Sequence, residues 1–366
     1  MDANGSHDAL FTPFALREGV VARNRAWLAP LTNLQSHADG TLSTEEERFL
    51  AMRATGGFGV VETCAAYVAP EGKAWSGELG VHDDAMLPGL RRLAARLHGA
   101  GAVACVQLFH GGLRASSAVS GLSPWSASAH AEPGLEVPRA ATEDDIAGVI
   151  QAFAAAARRC AEAGFHAVEL HGAHGYLLSQ FQSTVYNRRT DGWGGSEEHR
   201  HRLIREVTRA VRRAAPSLAL VVRLSPEDYG QARGVDLLET VRLARNLVDD
   251  GVDVFHLSLW DAAAPSRQRP EADPIQLFRE AVGDRARIVV AGGLRTAAQA
   301  TAVIARGADA VAVGRAAIAF HDWPARIRAG EDPPLPPYTA AHLAAEGLSP
   351  AFVTYMRRWK GFVDGD

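Results

Sequence analysis

Three side chains that can donate or transfer protons lie close together at the end of a short, largely apolar run. His171, His174 and Tyr176 follow the segment 167–170. This pattern predicts a buried strand leading into a loop, which would bring the three groups to one spot at the carboxyl end of the strand. Two imidazole N–H groups could hold a carbonyl oxygen there, and the phenol could supply a proton.

Two other interpretations of this histidine pair are a metal site and a purely structural role. Zinc requires three or four protein ligands in a plausible local geometry. Apart from His166, no further histidine or cysteine lies within ten residues of the pair. We therefore expect no metal and favour a clamp for a substrate oxygen, with structural imidazoles as the alternative.

Glycines and an arginine follow the last two apolar runs of the chain. Gly292-Gly293 follows one run and Gly314-Arg315 the other. Glycine lets backbone N–H groups approach a phosphate, the start of the next helix adds its dipole, and arginine adds a bidentate cation. We expect Gly293, Gly314 and Arg315 to bind phosphate; the alternative is that the glycines only turn the chain.

Polar residues also end several of the other runs. Gln107 offers an acceptor and two donors to a flat heterocycle, and Thr32 lies at a neighbouring strand end. Arg223 ends an apolar strand, so it requires a cofactor anion or a carboxylate such as Glu169 or Glu227. With a phosphate nearby, this set favours FMN over a sugar phosphate, whose enzymes more often place a lysine or an acidic base at a strand end.

These residues are positioned by an alternation of eight short apolar runs with longer helical patterns. Such alternation predicts a closed (β/α)8 TIM barrel rather than an open doubly wound sheet. An open sheet would show a glycine-rich fingerprint after the first run, where residues 29–33 read Ala-Pro-Leu-Thr-Asn. The runs are Ala26–Leu31, Gly59–Thr63, Val103–Leu108, Ala167–Leu170, Leu218–Leu224, Val252–Leu257, Ile288–Ala291 and Ala310–Val313.

Three segments lie outside this alternation. Residues 10–25 predict a hairpin that closes the barrel floor, and residues 111–140 a long insertion after the third strand. Residues 331–337 are rich in proline and predict a stiff linker. We expect one domain over residues 1–366, with a barrel core at about 24–330 and a C-terminal tail at 331–366.

Composition excludes several classes of protein. Hydrophobic residues make up 47% and charged residues 22%, and the formal net charge is −4. Nothing in this balance favours nucleic acid or an anionic membrane as a partner. The three cysteines form no CxxC pair, and we find neither a signal peptide nor an apolar stretch of eighteen residues. We expect a cytoplasmic protein.

Several longer motifs occur in order along essentially residues 10–330. They are Asn24-Arg25, Ala29-Pro30-Leu31-Thr32, Val106-Gln107-Leu108-Phe109-His110, Glu169-Leu170-His171-Gly172-Ala173-His174-Gly175-Tyr176-Leu177, Asn187-Arg188-Arg189-Thr190-Asp191, Gly194-Gly195-Ser196, Val222-Arg223-Leu224-Ser225 and Gly314-Arg315. In this order they resemble the Old Yellow Enzyme family of FMN-dependent ene-reductases. The sequence departs from the bacterial branch with a redox-tuning cysteine, because Thr32 stands in its place and Leu34 in that of a substrate-facing tyrosine.

The resemblance implies an FMN at the top of the barrel and a role for each group described above. His171 and His174 would bind the substrate carbonyl, and Tyr176 would be the proton donor. Trp260 is a candidate wall of the substrate cavity, with core packing or surface anchoring as the alternative. The flavin ring would be lined by Pro30, Leu31, Thr32, Ala65, Gln107 and Arg223, and the phosphate held by Gly293, Gly314 and Arg315.

The resemblance also implies a reaction. NADH or NADPH would reduce the FMN, and hydride would pass to the β-carbon of an enone-type alkene, with a proton added at the α-carbon. The alternatives are desaturation or oxidation of a specialised metabolite at the same site, and a flavin-binding barrel without turnover. The expected partner is a small-molecule substrate, and a homo-oligomer is left open.

Overall fold

Eight parallel strands form the core of the protein, whose computed structural model describes residues 8–365. The first strand pairs with both the second and the eighth, so the sheet closes into a barrel. The predicted TIM barrel is confirmed, and each predicted apolar run overlaps one strand. The strands are β1 (Ala26–Leu28), β2 (Val60–Tyr67), β3 (Val103–Phe109), β4 (Ala167–Gly172), β5 (Ala219–Leu224), β6 (Val254–Ser258), β7 (Arg287–Ala291) and β8 (Ala310–Val313).

Amphipathic helices surround the barrel, and most of them begin at a polar residue whose side chain caps the helix. The Ser43 side chain accepts from the backbone N–H of Glu46, and Thr142 and Asp145 form a reciprocal capping box. Within residues 8–365, no helix is both long enough and apolar enough to cross a bilayer. The helices that follow the strands are α1 (Thr44–Thr55), α2 (Leu87–Gly99), α3 (Glu143–Glu162), α4 (Glu197–Ala214), α5 (Leu237–Asp249), α6 (Pro274–Val282), α7 (Ala297–Ala305) and α8 (Trp323–Arg328).

The predicted N-terminal hairpin is present and plugs the amino end of the barrel. Its strands, Phe14–Arg17 and Val20–Ala22, are antiparallel. Phe14 and Leu16 are buried and share one apolar cluster with inward-facing residues of the barrel strands, including Trp27. The alternation of buried and exposed positions along the hairpin supplies that inward face.

The insertion after β3 folds against the carboxyl end of the barrel, where the polar residues at the strand ends lie. A short parallel pair joins Trp125–Ser126 to Arg139–Ala140, and Trp125 is fully buried beside His110. The shorter elements of the chain are the helices Ser117–Ser120, Leu177–Gln182, Arg315–Ala319, Ala340–Ala345 and Pro350–Met356, the strand Leu79–Gly80, and the 3-10 turns Asp8–Phe11, Pro70–Gly72, Gly112–Arg114, Asp84–Met86 and Gly283–Arg285.

The C-terminal tail packs on the same end of the barrel rather than extending away from it. The buried Arg53 of α1 donates to the carbonyl oxygens of Ala317, Ile318 and Glu346, which joins α1, the segment after β8 and the tail. The Arg53 guanidinium also lies 3.5 Å from the centroid of the Phe49 ring. The division into a core at 24–330 and a tail at 331–366 stays a prediction, although the two parts are closely packed.

Candidate active site

A cavity of about 370 Å³ lies at the carboxyl end of the barrel, and we call it the reaction cavity. Strand ends from several parts of the barrel converge there, as the parallel sheet requires. Ten of the residues singled out from the sequence line it. They are Pro30, Leu31, Thr32, Ala65, Gln107, His171, His174, Tyr176, Arg223 and Arg315.

The end of β4 and the turn that follows it carry three of these cavity residues, His171, His174 and Tyr176. His171 is still on the strand, and His174 adopts a left-handed backbone conformation at φ 61°. The backbone N–H of His174 donates to the Ser225 hydroxyl at 3.2 Å, which holds this unusual turn. The ring of His171 then lies 5.0 Å from that of His174 and 4.9 Å from that of Tyr176, measured between centroids.

Both imidazoles are neutral in these surroundings. Burial lowers the pKa of His171 and His174 well below the usual value, and the Arg223 charge lowers both further. The backbone N–H of Ala173 donates to Nδ1 of His171 at 3.3 Å, so the ring proton of this histidine belongs on Nε2. A neutral imidazole with an oriented N–H can donate to a carbonyl oxygen without carrying charge itself.

The Tyr176 hydroxyl also stays protonated. Burial raises the pKa of Tyr176, and the nearby Tyr355 raises it further. Phe109 packs edge-on against the Tyr176 ring at 4.5 Å, and Trp75 lies behind Phe109 at 5.3 Å. This aromatic wall holds the phenol at the edge of the cavity, where its protonated resting form can act as an acid.

A second cavity, of about 450 Å³, adjoins the first and contains the residues expected to bind phosphate. Gly292, Gly293, Gly314 and Arg315 all line it. A Cβ on Gly292 would lie 2.7 Å from the backbone nitrogen of Ala262, so a side chain has no room there. The expected helix dipole adds little, because the helix after Gly314 has only five residues.

The hydrogen bonding of Arg223 indicates whether this pair of cavities suits an FMN. Arg223 is buried and donates through Nη2 to the Ser258 hydroxyl at 3.1 Å, while its Nε has no partner among residues 8–365. A buried donor in this state requires an acceptor. Burial lowers the pKa of Arg223, and the Glu169 carboxylate opposes that shift. The polar edge of a flavin ring would satisfy the free Nε–H, so the residues fit this cofactor.

Glu169, suggested by the sequence as one partner of Arg223, belongs to a buried network under the cavity floor. It accepts from Gln107 Nε2 at 2.6 Å and bonds to Nδ1 of His256 at 2.6 Å. Burial acts to raise the pKa of Glu169, but His256, Arg223 and Gln107 together hold it below the usual value. The alternative partner Glu227 is excluded, because it accepts from Ser266 and from nearby backbone N–H groups instead.

Glu62 also belongs to this network, and it is neutral whereas Glu169 is ionised. Burial raises its pKa well above the usual value, and the neighbouring Glu169 carboxylate raises it further. Its Oε2 accepts from the indole of Trp27 at 2.8 Å. Glu62, Glu169 and His256 bring one ligand atom each within 4.8 Å of one another. The absence of a metal stays a prediction.

The sequence analysis missed His256 and the contribution of the tail. His256 lies inside the apolar strand β6, and a histidine at such a position was the available signal. Tyr355, Met356 and Trp359 line the reaction cavity, and burial raises the pKa of Tyr355 while a hydrogen bond with Thr32 partly offsets that rise. Tyr355 lies on the helix Pro350–Met356 and Trp359 in the turn that follows it, and no local pattern indicates that this segment reaches the cavity.

Trp260 and Cys64 lie outside the reaction cavity. Trp260 lines the second cavity and a third one beside it, and the residue is 61% exposed. Its role as a substrate wall stays a prediction. Cys64 is buried and its thiol contacts Glu46 at 2.9 Å, on the side of β2 that faces α1. Burial raises the pKa of this thiol well above the usual value, so it is not a reactive thiolate.

The fold and the paired cavities define a flavin-dependent barrel oxidoreductase. The family described as NADH:flavin oxidoreductase / NADH oxidase matches residues 9–332. The chain belongs to this family, which confirms the resemblance to Old Yellow Enzymes and the expected FMN cofactor with NADH or NADPH as reductant.

Individual relatives and solved structures agree with this assignment. The chain is 38% identical over 339 residues to a probable NADH-dependent flavin oxidoreductase, YqiG, of Bacillus subtilis, covering 90% of each chain. It is 33% identical over 329 residues to an NADPH dehydrogenase of Bacillus licheniformis, covering 87% of this chain and 94% of the relative. Morphinone reductase superposes with a TM-score of 0.81 at 28% identity, covering 91% of this chain and 93% of that one. An old yellow enzyme homologue of Zymomonas mobilis gives 0.79 at 28% identity, covering 91% and 96%.

Proposed function

We propose that this oxidoreductase reduces activated alkenes of the enone type. The observation that carries the proposal is the grouping of two neutral imidazoles and a protonated phenol around one cavity, in contact with the residues that suit a flavin. Once reduced by NADH or NADPH, FMN supplies a hydride for the β-carbon of the alkene. The protein residues bind the acceptor, polarise it and deliver the proton.

His171 and His174 are the proposed donors to the substrate carbonyl oxygen. Negative charge grows on that oxygen as the β-carbon accepts hydride, and two oriented N–H groups stabilise it without reorganising. The Ser258 hydroxyl lies 2.7 Å from Nε2 of His174 and accepts from Arg223. Ser258 can therefore donate to Nε2, which leaves the Nδ1–H of His174 for the substrate.

Tyr176 is the proposed acid for the α-carbon. Its O–H bond breaks, a C–H bond forms at the α-carbon, and solvent returns a proton to the phenolate. Because burial holds the phenol protonated, the acid is present throughout the neutral pH range. Thr32 and Gln107 are proposed to contact the flavin ring, and Gly293, Gly314 and Arg315 its phosphate.

The test is a pair of anaerobic half-reactions with the FMN-loaded protein. We expect NADH or NADPH to bleach the flavin, and 2-cyclohexenone to restore its colour with formation of cyclohexanone. In D₂O, solvent deuterium should appear at the α-carbon. Reduced protein that is reoxidised by oxygen but not by cyclohexenone, maleimides or nitro-olefins would rule out alkene reduction while leaving the flavin oxidoreductase class intact.

A further inference from the structure

A third cavity, of about 370 Å³, opens beside the reaction cavity, and we call it the side cavity. It shares His174, Tyr176 and Trp359 with the reaction cavity, so a ligand could occupy both spaces at once. Its outer walls come from the loops after β5 and β6. The lining residues that belong to these loops are Tyr229, Gly230, Gln231, Leu259 and Trp260.

Trp260 in the lining of the side cavity is exposed and lies next to an arginine. Trp260 is 61% exposed, which is unusual for so large an apolar residue. The Arg267 guanidinium lies 5.3 Å from the centroid of the Trp260 ring and 5.5 Å from that of the Tyr229 ring. Cation–π contact with both rings holds the guanidinium beside two residues that line the cavity.

This arginine is available to an anion from outside the chain. Among residues 8–365, no carboxylate lies within ion-pair distance of the Arg267 guanidinium. The nearby Glu227 is occupied, because it accepts from the Tyr229 and Ser266 hydroxyls and from the backbone N–H of Arg267. Asp261 accepts from the backbone N–H of Ala263. The side cavity therefore has an exposed aromatic ring in its lining and, next to that ring, an arginine without an ion-pair partner.

We propose that the side cavity binds the adenosine diphosphate part of NADH or NADPH, with Arg267 on the diphosphate and the Trp260 face against the adenine. The nicotinamide ring would then enter the reaction cavity past His174 and Tyr176. Planar bases stack on aromatic rings, and arginine binds phosphate oxygens in a bidentate manner. The inference deepens the proposed function, because it rests on reduction of the bound FMN by a nicotinamide nucleotide.

The test compares a whole dinucleotide with a reductant that lacks the adenosine diphosphate. Anaerobic flavin reduction is followed with NADH, with NADPH and with 1-benzyl-1,4-dihydronicotinamide. In Arg267→Ala, we expect the apparent Kd for the better dinucleotide to rise about tenfold, the loss of roughly one charge-assisted contact, with the limiting rate unchanged. Reduction by the benzyl compound should be unchanged. Trp260→Ala should act in the same direction.

The matched control is Arg285→Ala, which removes an exposed arginine at the opposite end of the barrel. Arg285 lies 2.8 Å from Asp249, and we expect its loss to leave both reductants unaffected. The apparent Kd for the dinucleotide should also lose part of its salt dependence in Arg267→Ala and not in the control.

Three outcomes would overturn the inference. One is an equal change for the dinucleotide and the benzyl compound, and another is no change for either. The third is an effect confined to the alkene acceptor, which would assign the side cavity to that substrate. A wild-type flavin that no nicotinamide compound reduces would instead overturn the proposed function, whatever the variants do.

Discussion

Tyr176 illustrates how single residues at this site gain their chemistry from their neighbours. Its ring is held by Phe109 at 4.5 Å and by His171 at 4.9 Å, so the hydroxyl has little freedom to turn away. Burial raises the pKa of Tyr176. The phenol is therefore a weak acid that can protonate a carbanion-like carbon, and it does not act as a base. Loss of the hydroxyl should therefore affect one half-reaction only.

In Tyr176→Phe, we expect reoxidation of the reduced flavin by 2-cyclohexenone to slow by about 10² to 10³-fold, the usual contribution of a positioned acid. Reduction of the flavin by NADH or NADPH should remain within about twofold, because that step needs no proton from the phenol. Stopped-flow absorbance of the flavin measures both steps. Equal losses in the two half-reactions would contradict the assignment of Tyr176 as the acid.

At this scale the sequence predicts which side chains meet, but not their protonation or their supports. The spacing of His171, His174 and Tyr176 was sufficient to place them at one strand end. The neutral state of the imidazoles depends on Arg223, which lies on a different strand, and on burial that no local pattern reveals. Sequence neighbours alone also left Glu169 and Glu227 equally plausible beside Arg223.

Strands β3, β4 and β6 meet at the buried network of Gln107, Glu169 and His256. Glu169 is ionised and balances Arg223, while Glu62 on β2 is neutral because burial raises its pKa. By accepting from Gln107 Nε2, Glu169 also fixes which end of the amide points away from the cavity floor. The amide oxygen of Gln107 is thereby left for the cofactor. Residues from several strands thus hold the Gln107 side chain in one orientation.

We expect Glu169→Gln to shift the midpoint potential of the bound FMN upward by about 30 mV or more, equivalent to ~1.4 kcal/mol for two electrons. The variant removes a negative charge near Arg223, and a more positive surrounding favours the reduced, anionic flavin. The measurement is a dye-coupled anaerobic redox titration. Glu62→Gln is the matched control, because it replaces a carboxyl that is already neutral. Equal shifts in both variants would contradict the assigned charges.

Strand-level predictions were accurate because the barrel strands are short apolar runs bounded by polar loops. The segments outside the strand–helix alternation were harder to predict. Residues 331–337 were expected to be only a linker, yet Leu335 and Pro336 line the second cavity. Tyr355 and Trp359 close the reaction cavity from the tail, and their place depends on long-range anchors such as Arg53. Contacts between residues some 300 positions apart leave no periodic signal in the sequence.

The molecule as a whole buries several histidines in the neutral form. Burial lowers the pKa of His110 to about 3 and that of His201 to about 4, and it also lowers those of His171, His174 and His256. In the unfolded chain, each of these would titrate near its ordinary value of about 6.5. Below that pH the unfolded state binds more protons than the folded state does.

Folding stability should therefore fall as the pH drops from about 6.5 toward 4, by up to about 1.4 kcal/mol per pH unit for each such histidine. Above about pH 7 this contribution should be complete and constant. Urea unfolding of the FMN-loaded protein at a series of pH values measures the slope. His201→Gln, remote from the cavities on α4, should reduce the slope by about one proton. A slope of zero across this range would contradict the neutral assignments.

The hairpin at the amino end also constrains how the barrel exchanges its ligands. Phe14 and Leu16 are buried at that end, so within residues 8–365 the hairpin closes the amino end of the barrel. Ligands therefore reach the flavin from the carboxyl end, where the reaction cavity and the side cavity open. Because we propose that the nicotinamide ring and the alkene occupy the same reaction cavity, donor and acceptor must take turns there. Steady-state plots at several fixed donor concentrations should then give parallel lines, the signature of a ping-pong sequence.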